Sequence, residues 1–168
     1  SSDLGCGTFP QSEDDLHYFQ DFNISIPAGS TINGIVVNTV ATSTLTGTNI
    51  FCVALSWDGG LSTTTAQTGV DIADTNFYNS FGGRTDTWGH TWSVSELGNG
   101  NFRVYVMPDT NNSNARNFFL DQLGVNVFYT APSGLLTSTS TDASGNGNPL
   151  DFSSSDSAFD KIGRASCR

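Results

Sequence analysis

A chain of 168 residues is long enough for one core of ordinary domain size and too short for two full ones. Only 13 % of its residues are charged and the formal charge is −10, so a phosphate backbone is repelled and a nucleic-acid partner is ruled against. No apolar run reaches membrane-spanning length, which argues against membrane insertion, and helix formers are scarce while Ser, Thr, Asn and Gly fill the polar positions, as in a rigid extracellular β-protein.

Residues 1–15 are small, polar and acidic, with Pro10 and the cluster Glu13-Asp14-Asp15, and carry no usable period; they are expected to form an N-terminal arm. From Leu16 to Ile26, apolar residues alternate with polar ones until Pro27-Ala28-Gly29-Ser30, which predicts a half-buried strand. Ile32 to Ala41 is a second strand, rich in Val and Ile, and Ile50 to Trp57 a third, near-continuous in β-formers. Leu61 to Thr68 reads as a polar, Thr-rich strand and Phe77 to Phe81 as a short apolar one. If Arg84 to Trp92 is extended, Trp88, His90 and Trp92 share one face, since side chains alternate with period two. Ser93 and Glu96 fit a capping box, so one helical turn is expected over 94–97 before Gly98. Phe102 to Met107 and 117–130 supply the last strands. About seven or eight short strands with turn signals between them define an all-β, antiparallel sandwich, jelly-roll-like, over residues 16–130. Its core is expected to include Val53, Leu55, Val104, Val106, Val125 and Val127. Residues 131–160 turn to Ser, Thr, Gly and Asp and read as a linker or the start of a following domain.

The third strand runs into Ser56-Trp57-Asp58-Gly59-Gly60, where Asp-Gly chemistry predicts a tight turn. Ser56, Asp58 and Gly60 resemble the Asp-box of sialidases and other secreted β-proteins, although Thr63 and Thr64 stand where that motif usually has an aromatic. The resemblance implies that Asp58 folds back onto turn amides and acts as a fastening. Over 22–129 the order of landmarks, Ser-Ile-Pro-Ala-Gly, then Ala-Leu-Ser-Trp-Asp-Gly-Gly, then Gly-Gly-x-Thr-Asp-Thr-Trp-Gly-x-Thr-Trp, then Asn-Phe-Arg-Val, resembles a β-sandwich module of large secreted and surface proteins of bacteria. That resemblance implies an architectural or adhesive part at the cell surface or outside the cell, with no catalytic activity and no specified ligand.

The ends carry their own expectations. The chain has neither an initiator Met nor a signal peptide, and is expected to begin at a processed end or inside a longer protein. Lys161-Ile162-Gly163-Arg164-Ala165-Ser166-Cys167-Arg168 resembles the translation of a sequencing-adapter oligonucleotide, so 161–168 is expected to be a non-native tail, as on a metagenomic fragment. Setting it aside leaves Arg84, Arg103 and Arg116 as the basic residues and Cys6 and Cys52 as the cysteines. That pair is compatible with a disulfide pinning the arm to a core strand, and equally with a buried thiol at Cys52.

An enzyme has little support: His17 and His90 are the only histidines, no Gly-x-Ser-x-Gly elbow occurs, and no metal-ligand spacing is present. Cofactors are not expected; calcium is a weak possibility from the acidic loops. The candidate ligand-binding set is Trp57, Asp86, Trp88, His90 and Trp92. Exposed indoles beside polar groups can stack on sugar rings, whereas buried ones would simply pack the sandwich. The expected role is a non-catalytic structural or adhesive module whose partners are a polysaccharide or neighbouring domains; the alternative is a carbohydrate-binding module built on exposed tryptophans.

Overall fold

A computed structural model describes residues 6, 16–44, 48–72, 75–110 and 117–132, and the backbone of 136–142. Of the expected arm only Cys6 is among the described residues; the rest of it, much of the expected linker, and the adapter-like tail lie outside them.

Runs of β-branched and aromatic residues that alternate in polarity settle into eight strands: β1 (His17–Phe19), β2 (Thr31–Ser43), β3 (Asn49–Ser56), β4 (Gln67–Thr68), β5 (Phe77–Gly82), β6 (Arg103–Thr110), β7 (Phe118–Thr130) and β8 (Leu136–Asp142). They form two antiparallel sheets, ordered β1-β6-β3-β4 and β5-β2-β7-β8. Early strands pair with late ones, β2 with β7 and β3 with β6, which is the nested pairing of a jelly roll. The outermost strands depart from it, because β1 adds to β6 and β8 to β7 and they do not pair with each other.

Alternation decides which side of each strand is dry. Ile35, Val37, Val125 and Val127 on one sheet face Val53, Leu55, Val104 and Val106 on the other, and all of the expected core valines and Leu55 are buried. The continuous apolar run of β3 has a different cause: it is covered on both faces. Its inner face joins the main core, and its outer residues Ile50 and Cys52 join Met107, Cys6, Leu16 and Ala66 in a second small cluster. Cys6 and Cys52 are bonded as a disulfide, with Cα atoms 5.4 Å apart, so the arm is tied to the middle of β3.

Four stretches differ from the sequence expectation. The alternation from Leu16 to Ile26 yields only the three-residue β1, because Asp21 and Asn23 take left-handed backbone conformations, φ 64° and 54°, that break the ladder. Phe22 nonetheless enters the core edge-on to Phe102. The Thr-rich stretch pairs only at Gln67–Thr68, since Thr64 is engaged instead with Leu55, donating its N–H to the Leu55 carbonyl and accepting the Leu55 N–H on Oγ1. The 84–92 segment is a folded corner. Leu136–Asp142, within the segment expected as linker, pairs along β7 from Thr130 to Gly124, which its alternating Thr residues suit.

Candidate functional site

The turn after β3 is assembled from short polar side chains reaching nearby amides. Ser62 N–H donates to Asp58 Oδ1 at 2.8 Å, Ser56 Oγ donates to the same oxygen at 3.1 Å, and Gly60 N–H donates to Ser56 Oγ at 2.9 Å. Gly59 and Gly60 hold φ of 74° and 96°, and a Cβ on Gly60 would run into the Tyr105 hydroxyl and the Arg103 guanidinium. Gly59 N–H donates to the Asn101 carbonyl and links this turn to the one preceding β6. Desolvation pushes the Asp58 carboxyl up, but hydrogen bonds from Ser62, Ser56 and the Leu61 amide outweigh it and hold its pKa below the ordinary value. The bonds to Asp58 all stay within the turn.

The second cluster forms where 83–97 folds over the end of the sandwich. Gly83 and Asp86 bridge, Ile35 N–H of β2 donates to the Asp86 carbonyl at 3.0 Å, and Trp88 and Gly89 take left-handed φ of 58° and 72°. This reversal sends Trp88 away from His90 and Trp92. Trp88 is buried, packs against Gly82 and donates its indole N–H to the Ile35 carbonyl at 2.9 Å. Trp92 is buried edge-on to Phe102 and donates to the Thr87 carbonyl at 2.8 Å. Trp57, from the Asp58 turn, is half-buried, lies flat on the His90 ring at 4.0 Å, and meets Trp92 edge-on.

Polar members of the set are tied in the same inward way. Asp86 Oδ1 accepts the Trp88 N–H at 2.8 Å, and Asp86 Oδ2 accepts from Gln67 Nε2 at 2.8 Å. Gln67 also accepts the Gly82 N–H on its own oxygen, which joins one sheet to the other. His90 Nε2 lies 3.3 Å from Glu96 Oε1. Desolvation pushes the Glu96 carboxyl up, but the Ser93 N–H and hydroxyl and the His90 contact lower its pKa on balance. The single 3₁₀ turn Val94–Leu97 follows.

Trp57, His90 and Trp92 are therefore brought into one aromatic corner, while Trp88 and Asp86 sit behind it as its supports. Among the described residues, no group of three His, Cys, Asp or Glu side chains is placed to hold a metal ion. Gln67 and Thr64 join the two clusters to the sheets with nothing in their sequence neighbourhood to mark them: their partners Asp86, Gly82 and Leu55 come from other strands and turns. No protein-family model, curated protein or solved structure matches the chain.

Proposed function

We propose that this chain is a non-catalytic structural or adhesive β-sandwich module of a larger surface or secreted protein. The observation that carries the reading is that the candidate side chains are used to hold the fold. Both buried indoles donate to backbone carbonyls, Asp58 and Asp86 accept from turn amides, and the Cys6–Cys52 disulfide closes a 46-residue separation across the arm and β3. A disulfide belongs to oxidising compartments, which supports an extracellular placement.

Pulling on a tandem array of the module tests this. The disulfide withholds 46 residues from extension, so the contour gained per unfolding event should rise by on the order of 160 Å after reduction. Each oxidised module should also give a distinct force peak. Extension without a peak, or hydrolysis of a polysaccharide by the purified module, contradicts the reading.

One observation favours a second reading, carbohydrate binding through tryptophan: Trp57 is only half-buried. Since Trp88 and Trp92 are buried, this reading rests on Trp57 with His90 behind it. Sugar binding lost in Trp57→Ala at unchanged Tm would support it, and binding indifferent to that substitution would end it.

A further inference from the structure

The outer face of the second sheet carries features that neither the core nor the aromatic corner uses. On β2 the inward positions are Ile35, Val37, Thr39 and Ala41, all buried, so Val36, Asn38, Val40 and Thr42 point outward. Register places Tyr78 of β5 beside Val40 and Ser80 beside Asn38, and on the other side Gln122 of β7 beside Val40 and Phe119 beside Thr42. Two large aromatic side chains thus share this face, Tyr78 at 52 % exposure and Phe119 at 50 %.

Tyr78 is not a loose surface side chain. Its hydroxyl donates to Asn38 Oδ1 at 2.6 Å, two residues along β2 from the position it pairs with, so the ring lies along the sheet and covers Asn38, which is only 8 % exposed. The ring face turned away from the sheet is left open. Burial pushes the phenol pKa up, against a hydrogen bond with Ser80, which keeps the hydroxyl a donor across the neutral range. Phe119 stands beyond the register shift between Val40 and Ala41, on the far side of β2. Two strand spacings across and two residues along put the Cα atoms of Tyr78 and Phe119 on the order of 12 Å apart, and the lean of the Tyr78 ring toward Asn38 lengthens the span between the rings.

We infer that the outer face of the β5-β2-β7 sheet binds an uncharged polysaccharide, with Tyr78 and Phe119 as two stacking rings and Ser80, Thr42 and Gln122 beside them as hydroxyl partners. This rests on the adhesive part of the reading above and gives it a ligand class and a site. Stacking uses the apolar face of each sugar, and a ring already held by its hydrogen bond loses little freedom on binding. Asn38, Val40, Thr42, Ser80 and Gln122 around the rings carry no charge, while Asp121, exposed in the bulge between Leu120 and Gln122, puts a carboxylate near Phe119 that adds to the net charge of −10 in repelling acidic polymers. With ring stacking as the main attraction, an uncharged chain is the occupant that fits.

Affinity electrophoresis through gels containing hydroxyethylcellulose, xylan or galactomannan, followed by calorimetry with the matching hexasaccharide, tests the inference. At least one of these polymers should retard the module, with Kd between micromolar and millimolar, as a shallow face allows. Tyr78→Ala and Phe119→Ala should each weaken binding tenfold or more, and the double variant should lose it. Should a variant fold poorly, amide shifts of the unsubstituted protein on adding hexasaccharide supply the same answer, and they should cluster on β5, β2 and β7. Retardation by none of the neutral polymers, binding retained in the double variant, preference for polygalacturonate, or shifts centred on Trp57 would each overturn the assignment. So would a dimer, seen by sedimentation, that the double variant dissolves, because the rings would then serve contact between copies. Force peaks that persist when sugar binding fails would leave the structural reading standing by itself.

Discussion

Substitution of Trp88 separates two effects that coincide at few positions. The side chain is buried, donates its indole N–H to the Ile35 carbonyl, and sits on a backbone with φ of 58°. Removing a buried Trp side chain costs about 3 to 5 kcal/mol through lost burial and the cavity left behind. A carbonyl deprived of its partner adds roughly 1 kcal/mol when water cannot replace it. Trp88→Ala should therefore lower stability by about 4 to 6 kcal/mol, a large fraction of the roughly 5 to 15 kcal/mol typical of a domain. The left-handed backbone is as unfavourable for Ala as for Trp, by about 1 to 2 kcal/mol, but costs Gly almost nothing. Trp88→Gly should then be the milder substitution by about 1 kcal/mol, the reverse of the usual order of Ala and Gly. Trp88→Phe, which keeps most of the volume and loses the N–H, should cost less than either. Urea unfolding of the oxidised protein, followed by far-ultraviolet circular dichroism and by the fluorescence of Trp57 and Trp92, measures all three. A loss under about 1 kcal/mol for Ala refutes the packing argument, and Gly proving worse than Ala refutes the backbone argument.

Reduction of the disulfide, or Cys6→Ser, should destabilise the module by about 4 kcal/mol in the chain-entropy model for a 46-residue separation, read as a fall in Tm; an unchanged Tm would show that the unfolded state gains nothing from release of the arm. Asp58→Ala should lower Tm at neutral pH. Because the folded-state pKa of Asp58 lies below its ordinary value of 3.8, its contribution is present above that pH and fades as pH falls through the folded value, so the gap between variant and wild type should narrow in acid; a gap that widens there would contradict the sign. Gly34→Ala places a Cβ against the Gly83 carbonyl and the Arg84 backbone, which must move and strain the bond from Ile35 N–H to the Asp86 carbonyl. The expected loss is about 1 to 3 kcal/mol by overpacking, and a neutral result in urea unfolding would mean that the 83–86 turn yields freely.

Strands β2, β3, β6 and β7, the inward set of valines and the short helical turn at 94–97 are legible in the chain because each is a local matter: period two marks which side chains face the core, and a Ser three residues before a Glu marks a helix start. The Asp58 turn is legible for the same reason, since its partners Ser56, Gly60 and Ser62 lie within four residues. The aromatic corner is not. Period two would align Trp88, His90 and Trp92, but the contacts that fix 84–92 come from Ile35, Gly82 and Gln67 on three other strands, and they hold Trp88 and Gly89 in left-handed conformations that turn the indole inward. The placement of Tyr78 and Phe119 on one outer face follows likewise from the register of β5 and β7 on β2, with a shift between Val40 and Ala41. Pairing between strands this far apart in the chain, from Ala41 with Phe77 to Thr31 with Thr130, depends on long-range complementarity, and a pattern read within one strand carries no information about which neighbour lies beside it.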